Sequence, residues 1–180
     1  MDLDNIAVLI RTFVWALIAL GVCALLLRYI PPPRFRQFKW TLAGAAAIFW
    51  SILASILLWG FWESYYRYFF SDWQRWIAPF AGIEYAIVAL GLKWLAQRLP
   101  GNPVLNFCLL GGLESVPEHL YGVYVLRILD LAPILQGISV PFIFCFAFFE
   151  YILYWSLVLV IAEILRRAWD WRMSRRVKPA

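Results

Sequence analysis

Five long, mainly apolar stretches, at residues 6–30, 41–62, 76–95, 103–126 and 140–165, take up most of this 180-residue chain. A helix that crosses a bilayer needs roughly 20 such residues. In lipid, a single segment can satisfy its own backbone N–H and C=O groups only as a helix. The pattern therefore predicts an all-α, polytopic transmembrane helix bundle of five spans, filling residues 1–180 as one integral membrane domain. Composition points the same way: 64% of residues are hydrophobic and 15% charged, too few polar side chains to cover a water-soluble globule. The expected location is a cell membrane, multi-pass, of the inner-membrane type.

The net charge of +5 does not describe a nucleic-acid surface, because the basic residues gather mainly in two blocks, 28–39 and 166–178. They report topology instead. The loop after the first span carries Arg28, Arg34, Arg36 and Lys39, the loop after the third carries Lys93 and Arg98, and a basic tail, 166–180, follows the fifth. The opposite loops hold Arg67, Arg75 and Arg127, each near an acid such as Glu63, Asp72 or Asp130, and Arg11 lies near the start of the first span. Lys and Arg accumulate on the cytoplasmic side, so the expected topology is N-terminus out and C-terminus in. Asp2 and Asp4 stand where a signal peptide would be basic, so the first span is expected to be retained.

Connectors follow from residue type. Pro31-Pro32-Pro33 stops the first helix, and the basic residues after it read as a loop. Tyr65, Tyr66, Tyr68 and Trp73 are amphipathic aromatics suited to the headgroup level. Residues 131–139, with Pro133 and Gly137, are too short to cross and read as an interfacial or re-entrant segment before the last span. Gly44-Ala45-Ala46-Ala47 with Ser51 and Ser55 gives the second span a face that another helix can approach closely. Cys23, Cys108 and Cys145 have no metal-site or disulfide spacing and read as small apolar side chains. The tail, with Trp169 and Trp171, is expected to rest on anionic headgroups. Lys93 is expected to snorkel to the cytoplasmic surface, and Glu163 to pair with Arg166 and Arg167.

The informative residues are those that lipid penalises. An ionisable side chain in mid-membrane costs roughly 2.5–3.5 kcal/mol on insertion scales, yet the third, fourth and fifth spans carry Glu84, Glu114, Glu118, His119 and Glu150. At about 1.5 Å per residue, Glu114 lies near the middle of its span, and Glu84, Glu118 and Glu150 lie a few ångströms toward the outside. The four carboxylates share one layer, which predicts a common polar pocket. Pro117 lies between Glu114 and Glu118 and follows Gly111-Gly112, so a kink or break is expected there. Phe80-Ala81-x-x-Glu84-Tyr85 and Phe146-Ala147-x-x-Glu150-Tyr151 match at four of six positions, and their helices run in one direction. Both Glu-Tyr pairs are expected to present alike to the fourth span.

Such a pocket supports several chemistries. Carboxylates from three helices and one imidazole would suit a divalent metal such as iron, manganese or zinc, although no Glu-x-x-His spacing is present and there is one histidine. Without metal, neighbouring carboxylates can act as acid and base on a lipid or isoprenoid substrate that enters sideways. The same groups could form the site of a proton- or cation-coupled transporter, or could bond helix to helix in a non-catalytic subunit or assembly factor. Catalysis ranks narrowly above transport. Lipids are the expected partners, and a second copy or a membrane complex is compatible with any of these roles. A haem is disfavoured, because Met1 and Met173 lie at the chain ends and no second histidine is available.

Overall fold

The computed structural model of the chain describes residues 3–64, 67, 71–121, 124 and 140–176. The expected segment at 131–139, the loop aromatics Tyr65, Tyr66, Tyr68, Phe69 and Phe70, the last residues of the fourth stretch and residues 177–180 lie outside these. The described residues are helical throughout apart from short connectors: α1 (Leu3–Tyr29), α2 (Pro32–Gln37), α3 (Trp40–Gly60), α4 (Asp72–Ile77), a 3-10 turn (Ala78–Phe80), α5 (Ala81–Ala96), α6 (Pro103–Leu120) and α7 (Val140–Arg176).

Among the described residues, four helical segments are long and apolar enough to cross a membrane: Ile10–Tyr29, Trp40–Gly60, Asp72–Ala96 and Ile143–Arg175. The fourth expected span, now α6, is not among them. It is 18 residues long, and Asn106, Glu114, Ser115, Glu118 and His119 lower its hydropathy. Most of its partners are other helices: α6 packs against α7 and α5, and touches α1 and α2.

α1 ends at Tyr29, before the prolines, as expected, but the basic residues after them do not form a loop: Arg34 and Arg36 lie in α2. Pro31 precedes α2, and Pro32 and Pro33 occupy its first positions, where a missing N–H costs nothing and the fixed φ suits a helix. Phe35 and Phe38 anchor this short helix in the core, fully buried, with the Phe35 ring 5.6 Å from that of Phe107 on α6. Lys93 likewise stays inside: it is buried, and its ammonium donates to the carbonyls of Arg36, at 3.0 Å, and Phe38. A cation is favourable at the carbonyl end of a helix, so Lys93 caps α2 and does not snorkel. Asn102 starts α6 by accepting from the Val104 N–H at 2.9 Å. Asn106 reaches back to the Pro100 carbonyl at 3.0 Å and holds the tight 97–102 turn, where Gly101 takes a φ of +94°.

At the same end, the expected pairing of Glu163 with Arg166 and Arg167 is present, with N···O distances of 2.9 and 2.7 Å. It is joined by a partner distant in sequence, Arg34 on α2 at 3.4 Å. Glu163 is buried, so its replacement leaves three guanidiniums without their shared acceptor. Glu163→Ala is expected to destabilise the bundle by about 1–3 kcal/mol, the range for lost charged hydrogen bonds. This would be read as a lower thermal midpoint of the detergent-purified protein.

α7 continues without interruption to Arg176. At about 1.5 Å per residue its 37 residues are far longer than a hydrocarbon core of about 30 Å. The basic tail expected at 166 is thus, through Arg176, an extension of the last helix. Cys23 and Cys108 are buried as expected, whereas Cys145 is exposed.

Candidate functional site

The site is built where α3, α5, α6 and α7 converge, and the small face of α3 decides how closely they can do so. Ala45 and Ala46 are buried, and Gly82 on α5 lies directly against the Ala47 backbone and Ser51. The Ser51 hydroxyl donates to the Pro79 carbonyl, which the irregular turn between α4 and α5 leaves available. This approach lays Trp50 flat on Tyr85, with ring centroids 3.8 Å apart and planes 12° from parallel. Trp155 of α7 lies along the edge of this stack, 5.8 Å from Trp50 and 6.3 Å from Tyr85. It fits beside Gly111 of α6, where a Cβ would run into the indole.

Within this aromatic frame, two tyrosine hydroxyls meet one carboxylate oxygen. Tyr85 on α5 donates to Glu118 Oε2 at 2.9 Å, and Tyr151 on α7 donates to the same oxygen at 2.6 Å. These are the tyrosines of the two repeated six-residue patterns, so the repeat does present alike to α6, through Tyr and not through Glu. Among the described residues Glu118 Oε1 takes no partner, and Glu118 is exposed. A carboxylate with one oxygen fixed by two donors and the other open is oriented and available.

The other acids take different positions. Glu114 is half-buried, and its Oε2 has no hydrogen-bond partner although it is shielded from solvent. Its carboxyl lies within electrostatic reach of Glu118 and Glu84, with the Trp155 indole beside it. The Trp155 and Trp50 indole N–H groups are buried and likewise unpartnered. Glu150 accepts from Tyr154 one turn along its own helix and is within reach of His119 and Glu118. Glu84 is exposed and opens into a lateral groove with Ala54, Leu58 and Gln74, on a different side of α5 from Tyr85. The five residues therefore lie in one region without lining a single enclosed chamber: Glu118 and Glu114 form its centre, Glu150 and His119 its edge, and Glu84 faces outward.

His119 stacks its ring edge-on against Tyr151, 5.6 Å between centroids. Its Nδ1 lies 2.8 Å from the Ser115 carbonyl. A carbonyl only accepts, so Nδ1 carries the proton and Nε2 is the exchangeable position. α6 does not break at Pro117; it runs through to Leu120. Gly111 and Gly112, which weaken the helix on paper, are buried against Trp155, Phe148 and Ile152 and held there by packing. The irregularity comes one turn later, as π-helical bonding at Tyr121 and Tyr124, a distortion frequent at functional sites.

Among the described residues, no three His, Cys, Asp or Glu side chains are gathered so that they could hold a metal ion. No family model, curated protein or solved structure matches this chain. Its chemistry has to be read from its own side chains.

Residue type alone missed Trp50 and Trp155, which frame the tyrosines. One signal was present. Tryptophan in a membrane helix prefers the interface, and both residues lie well inside their apolar stretches, where an indole needs a local reason.

Proposed function

We propose that this protein is a five-span membrane enzyme, N-terminus out and C-terminus in, that performs acid/base chemistry on a lipid-phase substrate at Glu118. The observation that carries the proposal is the convergence of Tyr85 and Tyr151 on Glu118 Oε2, with Oε1 left open. Polar side chains that join membrane helices bond across them in the same way; what sets Glu118 apart is its second oxygen. Here two donors from two helices are spent on orienting one oxygen, and its twin faces outward.

In this reading Oε1 takes a proton from a substrate group brought against it, or returns one. Tyr85 and Tyr151 fix its direction and stabilise the charge when the proton is absent. Glu114, beside Glu118 and without a donor at bonding distance, is the second acid of the pair, and unequal surroundings of this kind separate acid from base. His119, with Nε2 free, is a further proton acceptor at the rim. The exposed flank of Glu118, on a helix packed among apolar spans, suits a lipid or isoprenoid arriving sideways.

Two observations support five spans. α6 meets Trp155 and Ser156 of α7 through Phe107 and Cys108 near its start and Tyr151 through Glu118 near its end, so it lies alongside α7 for most of its length. The basic residues of α2, Lys93 and the Arg166 region meet at one end of the bundle, the arrangement that the positive-inside rule requires of a cytoplasmic face. Reporter fusions at the two termini test the orientation; a C-terminus outside would overturn it.

The functional test compares lipid extracts of cells with and without the protein by mass spectrometry, beside proton-flux measurements on proteoliposomes. One lipid class is expected to change, with no net proton movement. Flux without any lipid change would replace catalysis by transport. Loss of a larger membrane complex, with neither effect, would identify a subunit.

A further inference from the structure

At the end of the bundle opposite Tyr121, α3 begins beside the part of α7 that runs on past Leu165. Between them lies a cleft of roughly 750 Å³ whose walls include Lys39, Trp40, Thr41, Arg166, Trp169 and Asp170. Trp40 is 84% exposed and Trp169 63%, although indoles are costly to leave in water. Trp40 is also the first residue of its apolar segment, which sets the mouth of the cleft at the membrane boundary, where tryptophan settles.

The polar walls are mainly cationic. The Lys39 ammonium has no hydrogen bond or ion pair among the described residues and lies close enough to Lys93 for the two to repel. Arg166 uses Nε and Nη2 on Glu163 and Nη1 on Asp170. A guanidinium has five N–H donors, so two remain. Asp170 pairs with Arg166, which leaves the Lys39 ammonium as the unpaired charge of the cleft. α3 starts at this cleft with no side-chain cap.

We propose that the cleft binds the headgroup of an anionic phospholipid. The phosphodiester would sit against Lys39 and the free N–H groups of Arg166. The indoles of Trp40 and Trp169 would flank the glycerol, and the acyl chains would lie along the apolar sides of α3 and α7. A free phosphate would leave both indoles in water, and a zwitterionic headgroup would bring an ammonium toward Lys39. The site is separate from Glu118, so either assignment can fail without the other.

Native mass spectrometry of the detergent-purified full chain, with phosphatidylglycerol or phosphatidylcholine of matched acyl chains, tests this. Phosphatidylglycerol is expected to be retained about tenfold better, the scale of one charge-assisted contact. Lys39→Glu should remove the preference, and Lys39→Gln should reduce it. Arg172→Glu, at an exposed position on the same helix but outside the cleft, should leave it intact. Trp40→Ala should weaken retention of both lipids, and excess inorganic phosphate should displace neither. Equal retention of the two lipids by the wild type would overturn the proposal. So would equal losses in the Lys39 and Arg172 variants, or displacement by phosphate.

Discussion

Glu118→Gln is expected to lower turnover of the lipid-phase substrate by about 10²–10⁴-fold, the usual contribution of a positioned general acid or base, while the bundle stays folded. Glutamine has nearly the volume of glutamate and keeps one oxygen that can accept from Tyr85 and Tyr151. What it lacks is the basic second oxygen. Tyr85→Phe and Tyr151→Phe keep the rings, and with them the stack on Trp50, but each removes one donor to Oε2. Each is expected to reduce turnover about tenfold, matching one hydrogen bond of roughly 1–1.5 kcal/mol. Glu84→Gln should have little effect, because Glu84 opens into the lateral groove and bonds neither tyrosine. The measurement is the rate of change of the affected lipid in vesicles holding each variant at equal loading. Full turnover by folded Glu118→Gln would remove Glu118 from the chemistry, and with it the role assigned to the two tyrosines.

That the acids gather in one region was legible in the sequence, because position along a helix is nearly a count of residues. The direction of each side chain around its helix was not. Glu84 and Tyr85 differ by one position, hence by about 100° of rotation, and that rotation puts Tyr85 on Glu118 and Glu84 on the outer groove. Only the packing partner of α5 decides which of the two faces inward, and that partner is α3, tens of residues away in the chain. Lys93 and Arg34 were hidden for the same reason: the carbonyls that Lys93 caps and the carboxylate that Arg34 meets belong to other helices. At Pro117, local rules predicted a kink or break because they weigh a missing N–H and two glycines, and the helix does not break. They contain no term for the indole, the phenyl ring and the isoleucine that hold those glycines in place.

The substitution expected to do most damage to the structure is the smallest one, Gly82→Ala. A Cβ at this position collides with the backbone carbonyl oxygen of Ala47 and with the Ser51 hydroxyl. The hydroxyl could rotate away; a helical carbonyl cannot, so α3 and α5 would have to separate. Overpacking of this kind costs about 1–3 kcal/mol and sometimes more, and the separation would also break the Ser51–Pro79 hydrogen bond. The same substitution at Gly44 or Gly91 meets nothing within 4 Å and should be neutral or stabilising by up to about 1 kcal/mol, the gain in helix propensity. Thermal midpoints in detergent, followed by size-exclusion chromatography, should therefore fall for Gly82→Ala and hold or rise for the two controls. Because the α3–α5 approach is what places Trp50 on Tyr85, the Gly82→Ala protein that survives should also turn over more slowly, with the Trp50 fluorescence environment altered. If all three glycine variants were equally stable, the close contact would be no constraint on the fold, and the frame that aims Tyr85 at Glu118 would need another origin.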